Sequence, residues 1–308
     1  MSVVAIFGPT GVGKTAVAIA AAELLRARDE DPVAISADAL QVYRGLETLT
    51  GAATPEQQAR LEHRLISIVP VTDTFSAGRF AELARAEIDA ALAAGRMPIV
   101  VGGTGLYLQA ALTDLELRPP PPPGLRERIE READERGLEA LHAALAERAP
   151  AAAAAIEPGD RTRVIRSLEL LEMGEEPVGA ESRLWTASLR HPTTLAGLTM
   201  ELRALYRRID ARVDAMVAAG AIDEVREAAA MGASATARKA LGFEELLRGD
   251  VEAMKRRTRN FARRQLTWMR RMEDVVVVDR TGRNDEDVAA EIVGLLDRAE
   301  TDEDEKAE

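Results

Sequence analysis

The run Gly8-Pro-Thr-Gly-Val-Gly-Lys-Thr15 carries the strongest chemical signal in the chain. It has the G-x-x-x-x-G-K-[ST] spacing, in which Gly8, Gly11 and Gly13 let the backbone turn its N–H groups towards one anion. Lys14 adds a full positive charge, and the Thr15 hydroxyl offers an oxygen suited to Mg²⁺ beside a phosphate. Such a loop holds phosphate without saying whose. Asp38, in Ser36-Ala-Asp-Ala-Leu-Gln41, is a lone carboxylate with two readings: the cap of a helical turn beginning at Ala39, or a site residue beside the phosphate loop's ligand. Gly102-Gly-Thr-Gly105 ends an apolar run with glycines and Thr104, where many nucleotide hydrolases carry an acidic residue. That substitution argues against ATP hydrolysis.

Cationic residues form a second group of candidates. Arg163 and Arg166 are three apart, hence on one helical face, and serve either solubility or an anionic partner. Lys255 to Arg271 reads KRRTRNFARRQLTWMRR, with Phe261 and Trp268 interleaved. It is either a solvated helix face paired with acidic neighbours or a surface for a phosphate backbone. Within it Trp268 reads as packing, and Gln265 is open.

The elements that must position these groups follow from periodicity. Val3 to Phe7 is a short buried strand, and Ala16 to Ala27, free of Pro and Gly, is a helix. Strand, glycine loop and helix are the context the phosphate loop requires. Pro32 to Ser36 is a second strand with Asp38 at its carboxyl end, where open parallel sheets bind ligands. Glu56 to Arg64 reads as helix, Ile66 to Val69 as strand, Ala77 to Ala94 as helix, and Met97 to Val101 as a central strand followed by helix Leu106 to Leu112. Arg118 and the five prolines after it form a stiff arm leading into an Ala/Glu/Arg-rich stretch without strand signals. Strands return at Thr193 to Met200 and Val275 to Val278, around an amphipathic helix from Tyr206 to Ala219. The expected class is therefore α/β, a parallel sheet core at 1–117 and 191–308 with an all-helical insertion at 118–190.

Composition narrows the chemistry. The 308 residues contain no cysteine and three histidines, scattered at 63, 142 and 191, so disulfides, thiolate metal sites and a His-based zinc centre are disfavoured. The first residues lack a basic segment followed by a long apolar run, so a cytoplasmic protein without a membrane span is expected. Net charge is −12, which alone argues against a polyanionic partner. Much of it sits in an acidic stretch from Glu300, expected to be a disordered tail, so the distribution of charge matters more than its sum.

Taken together, these residues resemble the bacterial tRNA dimethylallyltransferase (tRNA isopentenyltransferase) family. The resemblance runs through the phosphate loop, Ser36-Ala-Asp-Ala-Leu-Gln-Val-Tyr-Arg44, His63-Arg-Leu-Ile66, Val101-Gly-Gly-Thr-Gly-Leu-Tyr107, Arg163 to Glu169, Arg208-Ile-Asp-Ala-Arg-Val-Asp214, and Gly242 to Trp268. Two departures stand out: Ala39 follows Asp38 where the family often has Ser, and Phe243 follows Gly242 where it usually has Tyr.

The resemblance implies a P-loop NTPase-like core and transfer of a dimethylallyl group from its diphosphate to N6 of the adenine 3′ to the anticodon in tRNA. By similarity, the leaving diphosphate would lie on Gly8, Pro9, Thr10, Gly11, Val12, Gly13, Lys14 and Thr15, with Mg²⁺ on Thr15. Asp38, Thr10 and Arg212 would be the catalytic residues. Asp38, Ala39, Leu40, Gln41, Thr104, Arg163 and Arg166 would meet the tRNA anticodon stem-loop, and the enzyme would be a monomer. Rival readings are a prenyltransferase for free adenine nucleotides, a small-molecule kinase, and a non-catalytic tRNA-binding module.

Overall fold

The computed structural model describes residues 2–115, 117–177, 188–272 and 274–307. Residues 178–187 of the expected helical stretch lie outside the described residues. The strands are β1 (Val3–Phe7), β2 (Pro32–Ala37), β3 (Tyr43–Arg44), β4 (His63–Arg64), β5 (Val69–Pro70), β6 (Met97–Gly102), β7 (Thr193–Thr199) and β8 (Val276–Asp279). Six form one sheet in the order β4-β2-β6-β1-β7-β8, with every neighbouring pair parallel. β3 and β5 pair separately.

Every residue of β1 and β2 is buried, as expected of parallel strands covered on both faces. Alternation then sorts them. Val4 and Ile6 of β1, Ala34 of β2, Met97 and Ile99 of β6, and Ala196 and Leu198 of β7 share one cluster with helices Lys14–Arg26 and Asp285–Ala307. Ile19, Leu25, Ile292 and Val293 fill that layer, each buried side chain contributing about 1.5–3 kcal/mol. Phe7, of opposite parity, meets the Trp268 ring at 5.5 Å, and Phe80 of helix Ala77–Ala93 meets Tyr107 of helix Gly105–Leu112 at 4.4 Å. This is the P-loop NTPase-like architecture.

The chain divides into two compact units, Met1–Leu115 with Ser188–Glu308, and Glu116–Ala187. The second is all-helical among its described residues: Leu125–Arg136, Leu138–Arg148, Pro150–Ala154 and Arg161–Glu172 close around Ile129, Leu141, Leu145, Val164, Ile165 and Leu168. Asp160 begins the last of these by accepting the Arg163 amide at 3.1 Å.

Two local expectations are corrected. The helix expected over Glu56 to Arg64 is shorter, Pro55–Arg60, with a Thr54/Gln57 capping box at its start. No strand spans Ile66 to Val69, because Leu65 and Ser67 adopt left-handed backbone (φ 62° and 52°) and break the pleat into β4 and β5. The final helix runs Asp285–Ala307. Glu and Ala are good helix formers whatever their net charge.

Candidate functional site

Register builds the site. Phe7 of β1 and Ala37 of β2 both pair with Gly102 of β6, so the three strands end in one row. The next residues are Gly8, Gly103 and Asp38. With strands about 4.8 Å apart, these three span about 10 Å of the sheet's carboxyl edge. Residues far apart in sequence thus become neighbours because β6 lies between β1 and β2.

The phosphate loop leaves β1 and turns into helix Lys14–Arg26 through Gly13, whose φ of 97° favours glycine. Its carbonyls are held from several sides. Lys14 Nζ donates to Gly8 O (2.9 Å) and Pro9 O (3.1 Å), Arg208 Nε to Gly11 O (3.1 Å), and Arg280 to Val12 O. The amides of Gly11, Gly13, Lys14 and Thr15 have no acceptor among the described residues, and neither has the Thr15 hydroxyl. Those amides crown a helix N-terminus, the arrangement that binds anions.

Asp38 follows β2 directly. Its Oδ1 accepts the Leu40 amide at 2.9 Å, and residues 39–42 form turns rather than a helix. The cap reading is therefore replaced by an Asx turn that fixes the carboxylate. Oδ2 has no hydrogen-bond partner among the described residues. Gln41 is tied down more fully: its Oε1 accepts Ser36 Oγ (2.9 Å) and its Nε2 donates to Gly51 O (3.3 Å). Ala39 and Leu40 are half-buried beside them. Thr104 sits at the start of helix Gly105–Leu112, with its hydroxyl free of a capping bond.

Electrostatics link these groups. Burial pushes the Lys14 ammonium down to about 8; Asp38 opposes the shift and Arg212 adds to it. Arg212 is likewise lowered by burial, against Asp38 and with Arg208. Burial, then Tyr43 and Asp38, push the Tyr107 phenol up. Lys14, Arg212 and Tyr107 therefore all lie within the field of Asp38, although none forms an ion pair or hydrogen bond with it. Arg212 comes from helix Leu202–Ala218 and donates to Thr50 O at 3.4 Å. The short helix Glu47–Thr50 that presents this carbonyl is held at its start by Glu224, which accepts the Thr48 (2.8 Å) and Leu49 (2.7 Å) amides.

Sequence reasoning missed three supports of the loop. Arg208 and Arg280 bind its carbonyls, and Gln265, left open above, accepts the Thr10 amide at 2.8 Å. Arg208 and Gln265 lie inside segments that carry the family resemblance, whereas Arg280 gave no signal. Trp268 does pack: its ring fills the place a side chain on Gly105 would take.

The basic helix, Val251–Met269, contains both of its readings. Lys255, Arg257 and Arg259 pair with Asp214, Glu245 and Asp210. Arg263, Arg264 and Arg270 are exposed and without an acidic partner among the described residues.

In the helical unit, Arg163 is exposed and, among the described residues, paired only with Asp160 (2.7 Å). Arg166 instead binds Glu169 (2.9 Å) and the carbonyls of Arg118 and Pro119. Residues three apart on a helix share a face but differ by about 60° around its axis. That offset is enough to put one guanidinium outside and the other against the proline arm.

Comparison with known proteins follows the same lines. Residues 41–272 match the family model described as IPP transferase. The chain is 41% identical to a tRNA dimethylallyltransferase of Kineococcus radiotolerans, covering 87% of each chain, and 38% identical to that of Bacillus velezensis, covering 91% of each. Among solved structures it is similar to the tRNA isopentenylpyrophosphate transferase of Bacillus halodurans, with 32% identity, a TM-score of 0.72 and 99% of each chain covered. The family-model match begins after the phosphate loop and takes in the segments carrying Thr104, Arg212 and Gln265, and the chain belongs to the IPP transferase family.

Proposed function

We propose that this chain transfers a dimethylallyl group from dimethylallyl diphosphate to N6 of the adenine 3′-adjacent to the anticodon in tRNA, releasing diphosphate. One observation carries the reading. The row formed by β1, β6 and β2 sets an anion-ready loop and a single turn-held carboxylate on the same edge, with two half-buried cations that lack acidic partners among the described residues.

The reaction forms a bond from N6 to the allylic carbon and breaks that carbon's bond to the diphosphate oxygen. The bonding pair leaves with diphosphate, and the N6 proton passes to Asp38. An aromatic amine is a weak nucleophile, so stabilising the leaving group is the larger task. Loop amides, Lys14 and Arg212 do this electrostatically, a contribution often worth several kcal/mol in a dry site. Thr10 adds a hydroxyl beside the loop. Asp38 accepts the N6 hydrogen and orients the amine as a general base.

Mg²⁺ fits the residues present. The Thr15 hydroxyl is free, and no cluster of three or more His, Asp or Glu among the described residues competes as a cage. Mg²⁺ commonly takes one or two protein oxygens and completes its shell with phosphate oxygens and water. When bound it would neutralise charge on the departing diphosphate.

A paired adenine cannot reach such an edge, so the base must leave its stack. Asp38 to Gln41 and Thr104 are the proposed contacts of the extruded nucleotide. Arg163 and Arg166 of the helical insertion, together with the exposed arginines of helix Val251–Met269, are those of the anticodon stem-loop. The enzyme works as a cytoplasmic monomer in this reading. No helix among the described residues is long and apolar enough to cross a membrane.

The test is one assay: protein, Mg²⁺, labelled dimethylallyl diphosphate, and tRNA, AMP or ATP as acceptor. Label is expected in tRNA alone. Label in AMP, or phosphate transfer without prenyl transfer, overturns the proposal.

A further inference from the structure

Gln265 belongs to a helix that carries its arginines outward, yet its own side chain turns inward and is 6% exposed. Oε1 accepts the Thr10 amide at 2.8 Å, and Nε2 donates to the Gly103 carbonyl at 2.6 Å. One side chain thus ties the phosphate loop after β1 to the glycine turn after β6. The space around it is shared. A side chain begun at Gly103 would lie 2.5 Å from Gln265 Nε2, 3.1 Å from Gly8 O and 3.2 Å from Lys14 Nζ. Gly103, the Gly8 carbonyl, Lys14 and Gln265 therefore converge at a point where no further atom fits.

The chemistry of the pair requires an amide. Thr10 presents a donor and Gly103 an acceptor, so the bridging group must accept on one side and donate on the other. A carboxylate would serve Thr10 but turn an oxygen towards the Gly103 carbonyl oxygen. An aliphatic chain would leave both backbone groups unpaired in a buried place, a costly outcome.

We propose that Gln265 is a positioning residue that holds the phosphate loop in its anion-ready shape, acting through the Thr10 and Gly103 backbones. It does not touch the leaving group. The proposal rests on the diphosphate reading above for what the loop holds. The alternative role is plain helix packing, in which loss of Gln265 costs stability and nothing else.

The experiment compares wild type, Gln265→Leu and Gln265→Glu in four readouts. These are calorimetric binding of inorganic diphosphate with Mg²⁺, KM and kcat for prenyl transfer, tRNA affinity, and thermal midpoint. Gln265→Leu is expected to bind diphosphate about ten- to hundredfold more weakly, the size of one or two orphaned buried hydrogen bonds. Its tRNA affinity should stay within about twofold of wild type. Gln265→Glu should show a deficit that shrinks relative to wild type as pH falls from about 8 to about 5.5, because a protonated carboxyl regains the donor that Gly103 needs. Packing alone would not produce that recovery.

Wild-type diphosphate affinity and kcat in Gln265→Leu overturn the proposal, as does a Gln265→Glu deficit that stays parallel to wild type across pH. Should Gln265→Leu fail to fold, the pH profile of Gln265→Glu decides. If wild type binds diphosphate but moves no prenyl group, the functional reading falls while the binding comparison still judges Gln265. If wild type transfers prenyl and Gln265→Leu binds diphosphate normally, only the Gln265 proposal falls.

Discussion

The two units of this chain bury charge in opposite ways. In the helical unit, Glu169 is fully buried and saturated: Arg126 grips both its oxygens (2.6 and 2.9 Å), and Arg166 adds a third bond at 2.9 Å. In the sheet unit, Lys14 and Arg212 are half-buried and, among the described residues, have only backbone carbonyls as partners. Burial disfavours the charged form in both places. Its effect on Glu169 is outweighed by the two arginines, so that carboxyl stays below its ordinary range, whereas Lys14 falls to about 8. A buried charge already satisfied serves the fold. One left waiting for a counter-ion serves a ligand.

The sharpest way to break this contrast is at Asp38, a carboxylate in the field of both waiting cations. Asp38→Ala should lower turnover by roughly two orders of magnitude or more, with tRNA affinity little changed. Unchanged turnover would reduce Asp38 to a turn residue.

Glu169→Ala should act only on stability. We expect a loss of about 2 kcal/mol, below the 3–5 typical of a broken buried pair, because the Arg126 side chain is 39% exposed and can rehydrate. Hydrogen exchange over residues 161–172 would report it. A change in diphosphate affinity instead would sink the structural assignment. The sign with pH is fixed too. Because the folded carboxyl titrates below its unfolded value, its contribution is present above the ordinary carboxylate range and is lost as pH falls through the depressed value. Glu169→Gln should remove that part of the acid sensitivity.

Lys14 offers a smaller effect of different shape. An anion favours the ammonium, so diphosphate affinity should be greatest below pH about 8 and fall several-fold by about 9.5. Lys14→Arg, which does not titrate there, supplies the reference; equal profiles for the two would remove Lys14 from the site. Least of all, replacing one exposed arginine such as Arg263 should lower the slope of log affinity for tRNA against log salt by about 1. No change would leave that residue a solvated charge.

What could be read from the chain beforehand divides along a physical line. Val3 to Phe7, the phosphate loop and Met97 to Val101 were legible because strand hydrophobicity, glycine spacing and helix propensity all agree locally. Ile66 to Val69 misled because an apolar run says nothing of the left-handed backbone at Leu65 and Ser67. Arg166 looked like a plain partner to Arg163, and nothing in the local sequence showed that its guanidinium also binds Glu169 and the proline arm. Gln265 and Glu224 were illegible for another reason. Their bonds reach 255 and 176 residues along the chain, and no local pattern encodes such a partner.

The insertion of β6 between β1 and β2 has a consequence for biosynthesis. During translation the glycine loop emerges first, but the row it belongs to cannot close until Gly102 has left the ribosome, and its arginine and glutamine props arrive only after position 200. A polypeptide that ends before position 200 thus lacks Arg208, Gln265 and Arg280, and with them the bonds that fix the loop's carbonyls and the Thr10 amide.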